Sequence, residues 1–267
     1  MHTSYEYMLS CLMVLTILIS TQIAISIMVT RQIVLLQKRA GYLQVDVILD
    51  SLLLSPGDPP DWGRRWSGKP RILGLADSKT ERLYVLDPYK VSRLRNDTIN
   101  RITPTEARKL MGLREDYHFT LKIYPVFQVK ITGNQSFIVT VKTRFGRPII
   151  NANVTAYYIP RSFSYSANYL VRSNITGLNG QCSLEFEERE NYVLLVKVEI
   201  FGLKVERTFP EGLNLKVIGG HIIKTDYSLI NEICFSTGVI TGMGGEHTSR
   251  LVEIDGSIYV AEFYLWR

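Results

Sequence analysis

From Tyr7 to Thr30 the chain reads YMLSCLMVLTILISTQIAISIMVT, twenty-four residues without an Asp, Glu, Lys, Arg or His. At the ~1.5 Å rise per residue of an α-helix, this run is long enough to cross a hydrocarbon core of ~30 Å. Its many Ile and Val residues suit a strand as well. A lone strand in a bilayer, however, would leave its backbone groups unpaired, so the pattern predicts a membrane helix. A cleaved secretory signal wants basic residues first and only ~7–15 apolar ones, whereas no Lys or Arg precedes this run. A buried core helix is the remaining alternative.

Charge then mixes with apolar residues up to Leu54. Leu36, Ala40, Leu43 and Val47 recur at three-to-four spacing, which extends the helix as an amphipathic segment, unless Gly41 breaks it. Ser55-Pro-Gly-Asp-Pro-Pro-Asp-Trp62 stops it. Asp87-Pro88 and Thr103-Pro104-Thr105-Glu106 are helix starts, the second with capping-box spacing, and they predict short helices over 88–95 and 104–112.

From Tyr117 onward the period changes to two. HFTLKIYPVFQVKI predicts a strand pair or one bent strand with Pro125 at a bulge or edge. Strands follow at Phe137–Thr143, from Pro148 to Val154, and over 182–186, 192–200 and 203–209. The tail SIYVAEFYLW predicts an integral strand. The fold class expected is α+β, a long N-terminal hydrophobic helix followed by a small α+β segment and an antiparallel β-sandwich. The divisions are 1–54 (transmembrane or assembly helix), 55–128 (α+β), 129–212 (sandwich) and 213–267 (strands packing on the rest).

A net charge of +6 changes this picture little, because Lys and Arg are spread along the chain and form no basic block interleaved with aromatics. Nucleic acid is therefore not an expected partner. His118, His221 and His247 are scattered, and GMGGEH lacks the Lys-Ser/Thr ending of a phosphate-binding loop. No nucleophile constellation is present either. No catalytic, cofactor-binding or metal-binding residue is assigned, and an enzyme is not expected.

Asn-x-Ser/Thr triplets occur at Asn96, Asn134, Asn153 and Asn174, all after the helix, and fit a glycosylated exterior surface. Asn153 is the weakest, since it falls inside an expected strand. Cys11 lies in the apolar run, which leaves Cys182 and Cys234 as candidates for one disulfide outside the cell.

The opening HTSYEY, followed directly by the apolar run, resembles the mature start of archaeal type IV pilin-like proteins. The resemblance puts His2 at the first mature position, where the family carries Gln, Ser4 at the small polar one and Glu6 at the acidic fifth. It implies that Glu6 pairs with the amino terminus of a neighbouring subunit and sets the stagger of assembly. A place for Glu6 in the headgroup region is the plainer alternative. The family also carries a short basic leader, which is not in this sequence. Arg31, Lys38 and Arg39 taken alone would put the following segment in the cytoplasm, and a leader upstream of Met1 would reverse that. Residues 48–125 resemble a head segment of secreted pilin-like proteins.

FGRPIINANV with TGLNG and CSLEF resembles small Ig-like or carboxypeptidase-regulatory-like sandwiches. Together the resemblances imply a single-pass membrane protein or filament subunit with an extracellular, β-rich head. Its partners would be lipid and other pilin-like subunits, met through the N-terminal helix. The alternative is a single-pass protein whose Ig-like module binds a glycan or cell-envelope partner.

Overall fold

A computed structural model describes every residue except Met1, 66–67, 99, 134–135, 161–168, 187–191, 219–220, 228–230 and 239–244. Side chains of 2–8, 10–11, 33–43 and 160 also lie outside the description. The chain divides into two compact units, Met1–Val47 and Ile48–Arg267. Nearly half of it is strand, in keeping with an α+β protein whose body is mostly β.

Helix α1 (His2–Leu54) passes through Gly41 without a break, because Gly weakens a helix without blocking any of its hydrogen bonds. Within the second unit, its last turns bury Leu49, Leu52 and Leu53. The expected stripe is rotated there, since Val47 is 65% exposed, and the side chains of Leu36, Ala40 and Leu43 lie outside the described residues.

After α1 the Pro-rich loop folds back on residues 72–76, with Asp58 N donating to Ile72 O at 3.1 Å and Ala76 N to Ser55 O at 3.0 Å. Gly57 and Gly74 make this approach possible. A Cβ on Gly74 would stand 2.3 Å from Ser55 O and 2.5 Å from Gly57 N. Helix α2 (Pro88–Ser92) is capped by Asp87, whose side chain accepts from Tyr89 N. Helix α3 (Pro104–Leu110) has the expected capping box. Thr103 Oγ1 accepts from Glu106 N at 3.3 Å, and Glu106 Oε2 accepts from Thr103 N at 3.0 Å.

The strands are β1 (Val85–Leu86), β2 (His118–Pro125), β3 (Gln128–Gly133), β4 (Ser136–Lys142), β5 (Asn153–Pro160), β6 (Leu170–Ile175) and β7 (Gln181–Glu185). They continue with β8 (Tyr192–Ile200), β9 (Leu203–Phe209), β10 (Leu215–Ile218), β11 (His221–Lys224), β12 (Ile233–Ser236), β13 (Glu246–Ile254) and β14 (Ser257–Trp266). β5 starts five residues later than expected, since Pro148 makes only an isolated bridge to Lys142.

A five-stranded sheet has the order β1-β13-β14-β2-β12, so the tail strand β14 is indeed integral, flanked on both sides. β2 and β3, adjacent in sequence, go to different sheets. A three-stranded sheet β3-β4-β7 and a four-stranded sheet β6-β5-β8-β9 share one apolar core. Phe137, Val139 and Val141 of β4 and Leu184 of β7 meet Val154 and Ala156 of β5 and Leu194, Val196 and Val198 of β8 there. The β10–β11 hairpin covers the opposite face of β5 and β8 through Leu215, Val217 and Ile222 packed with Ile159, Val193 and Leu195. The unbroken apolar run Val193–Val196 follows from that double cover, since both faces of β8 are buried.

Candidate functional site

His2, Ser4 and Glu6, the residues expected to act in assembly, stand in the first turns of α1, on one continuous helix with the apolar run. Their side chains lie outside the described residues. Within α1, Leu12–Gln32 is long and apolar enough to cross a membrane, and every side chain in it is exposed. Four hydroxyls of this surface are turned inward on the helix itself. Thr16 Oγ1 donates to Met13 O at 2.8 Å, Ser20 Oγ to Ile17 O at 2.9 Å and Thr30 Oγ1 to Ser26 O at 2.8 Å. Thr21 Oγ1 reaches both Ile17 O and Leu18 O. Hydroxyls that bond back to the preceding turn need no water, so an apolar surrounding leaves them satisfied. An exposed, mostly apolar run of this length is the kind of surface that marks a site of interaction.

The body holds a second arrangement that the sequence did not disclose. Lys90 on α2 is wholly buried, and its Nζ donates to Pro56 O at 2.8 Å and Ala76 O at 2.7 Å. Burial holds its pKa below the usual lysine value, against the pull of the nearby Asp87 carboxylate. One turn on, Arg93 donates through Nε to Asn100 O at 3.0 Å, through Nη1 to Trp62 O at 2.6 Å and through Nη2 to Gly68 O at 3.0 Å. The guanidinium also lies over the Trp62 ring, 5.2 Å from its centre. Trp62, buried, donates Nε1 to Gly74 O at 2.9 Å. Two buried cations thus satisfy carbonyls of the Pro-rich loop and of the segments packed around it. Lys90 faces these carbonyls and not a cavity, so this is a structural anchor.

An open cavity of about 210 Å³ is lined by Tyr124, Arg144, Arg207 and Glu232 among others. Arg144 lies 3.9 Å over the Tyr124 ring and within 3.7 and 3.8 Å of the Glu232 and Glu262 carboxylates. Burial, with the hydrogen bond to Glu262, pushes the Tyr124 hydroxyl up to about 12. Arg144 is thus shared between the two carboxylates nearest to it.

The two cysteines are free thiols, which corrects the expected pairing. Cys182, on β7, is packed into the core between the two smaller sheets, and burial raises its pKa to about 11. Cys234, on β12, is exposed on the five-stranded sheet, in a different core environment. Spacing in sequence carried no information about this separation.

Of the triplet asparagines, Asn134 lies outside the described residues. Asn96 Oδ1 accepts from Arg101 Nη1 at 3.0 Å. Asn174 is exposed on β6, yet its amide is engaged, with Nδ2 donating to Ser183 O at 2.8 Å and Oδ1 accepting from Ile175 N at 2.8 Å. Asn153 begins β5 and is paired on both sides. His118 and His247 are on strands and not in turns, stacked on Trp266 and Tyr264. Among the described residues no group of three His, Cys, Asp or Glu side chains is arranged to hold a metal ion. No family model, curated protein or solved structure matches this chain.

Proposed function

We propose that the protein is a membrane-anchored, type IV pilin-like subunit. Its N-terminal helix packs in lipid or among the helices of other subunits, and its β-rich, Ig-like body is displayed outside the cell. One observation carries this reading. The exposed surface of Leu12–Val29 carries no charge and is mostly apolar, and the hydroxyls of Thr16, Ser20, Thr21 and Thr30 are closed onto their own helix. Such a helix gains from leaving water along most of its length, and cohesion by apolar packing is the mechanism it suits. Glu6, at the polar end of this cylinder, is the group able to fix register, since a carboxylate beside apolar helices is costly unless it is paired.

The test is Glu6→Ala, with incorporation into sheared surface filaments measured beside an intact body checked by circular dichroism. Loss of incorporation with a folded body is the expected result. Normal filaments from the variant refute the register role. A chain that stays wholly in the membrane fraction and never reaches filaments favours the second reading, a single-pass protein whose Ig-like module binds an envelope partner.

A further inference from the structure

Three turns leave the same end of the two smaller sheets. In the four-stranded sheet Asn153, at the start of β5, is paired with Ile175 at the end of β6 and with Glu199 near the end of β8, and Ile200 is paired with Leu203. The connections 143–152, 176–180 and 201–202 therefore emerge side by side. The first two are tied to each other as well. Asn151 N donates to Thr176 O at 2.9 Å, Thr176 N to Ala152 O at 3.0 Å and Val141 N to Gly180 O at 2.7 Å. Buried Thr176 adds its hydroxyl, donating to Ile149 O and accepting from Ala152 N.

Each turn carries one bulky apolar side chain at its tip. Phe145 is 90% exposed, Leu178 86% and Phe201 96%. Single exposed apolar residues are ordinary, but three of them on one fixed end are not. Phe201 adds a further sign. It sits at φ +49° in a two-residue hairpin turn, a place where Asn or Asp is at ease and a bulky aromatic is not. Its ring gains no packing there in return.

The turns themselves carry charge of one sign. The three turns hold no Asp or Glu, while Arg144 and Arg147 lie in the first and exposed Lys142 directly precedes it. Arg144 is turned toward Glu232 and Glu262. The nearest acid on the neighbouring strand, Glu199, is matched by Lys197 at 2.8 Å. We propose that this end of the body is a lipid-contacting surface, in which Phe145, Leu178 and Phe201 enter the headgroup–acyl boundary of an anionic membrane while Lys142 and Arg147 meet its phosphates. Apolar tips beside cations are the combination that binds such an interface, where neither part alone holds firmly. All three turns belong to the second unit.

The experiment compares the full chain, kept soluble by an amphipathic polymer around α1, with the variant Phe145→Ser/Leu178→Ser/Phe201→Asn. Both are sedimented with vesicles of phosphatidylcholine containing about 30% phosphatidylserine and with phosphatidylcholine alone. Any contribution of α1 is common to both proteins, so the difference reads the tips. The variant is expected to bind the anionic vesicles at least about ten-fold less, and wild-type binding to fall at about 0.5 M salt. Phe201→Asn alone, which suits its turn, is expected to stay folded and lose part of the binding. Equal sedimentation of wild type and variant overturns the proposal. So does a lipid-independent self-association that the variant abolishes, which would make the tips a protein contact.

Discussion

Asp50 and Arg250, two hundred positions apart, meet through two parallel hydrogen bonds, Nε to Oδ1 at 2.9 Å and Nη2 to Oδ2 at 3.1 Å. The pair joins the last turns of α1 to β13, and Tyr84 Oη adds a third donor to Asp50 at 3.1 Å. The fork geometry makes this the most specific tie between helix and sheet inside the second unit. Asp50→Ala is expected to destabilise the body by about 1–2 kcal/mol, the discount reflecting partial exposure of both side chains. A double-mutant cycle with Arg250→Ala, read by thermal unfolding in detergent, should give a positive coupling. Additive losses would show that the pair is incidental.

Lys90→Met retains length but removes the donor to Pro56 O and Ala76 O. Two part-buried carbonyls left without this donor should cost about 1–3 kcal/mol. Protease cleavage within the Pro-rich loop should rise before any global unfolding. A variant as stable and as resistant as the wild type would show that water replaces the ammonium.

The Glu106 carboxyl is held at about 2, against an ordinary 4.5, chiefly by its hydrogen bond with Lys69 and then by the Thr103 backbone N–H. A carboxyl lowered by folding stabilises fully above its unfolded value, and that stability is lost as pH falls toward the folded one. The contribution of the α3 cap should therefore fade between about pH 4.5 and 2. Glu106→Gln should be flat across this interval when α3 is followed by hydrogen exchange. A wild type as flat as the variant would remove the role of the charge.

The two body thiols should differ in reactivity. Maleimide in native conditions is expected to modify Cys234 and leave Cys182 untouched until denaturant is added, as peptide mass mapping can read. Native modification of Cys182 would mean that the core between the smaller sheets opens readily.

Phe201→Asn alone should stabilise the hairpin of β8 and β9 by about 1 kcal/mol, a rise in Tm of about 2–4 °C for a body of this size. A fall would show that the ring has packing value within the body.

How far the chain could be read in advance depended on how local each feature is. The Thr103–Glu106 cap needs four residues and was legible as written. So was the alternation of β14, whose buried and half-buried positions succeed each other along its whole length. The stripe of α1 was placed on Val47 because three-to-four spacing allows more than one face, and only the partner surface chooses Leu49, Leu52 and Leu53. The Cys182–Cys234 pairing failed for the same reason, as it needed to know that β7 and β12 belong to different sheets. Nothing in the sequence neighbours of Lys90 and Arg93 announces that both will be buried against carbonyls of the Pro-rich loop.

The place of β14 sets a timetable. β2 has β14 on one side and β12 on the other, yet about 130 residues separate the end of β2 from the start of β14. At a synthesis rate of about 5–20 residues per second, β2 waits several seconds or more for its central partner. α1 is complete well before then, while the body is still an open chain. Late closure of the sheet thus leaves the body unfinished until the last of its strands has been made.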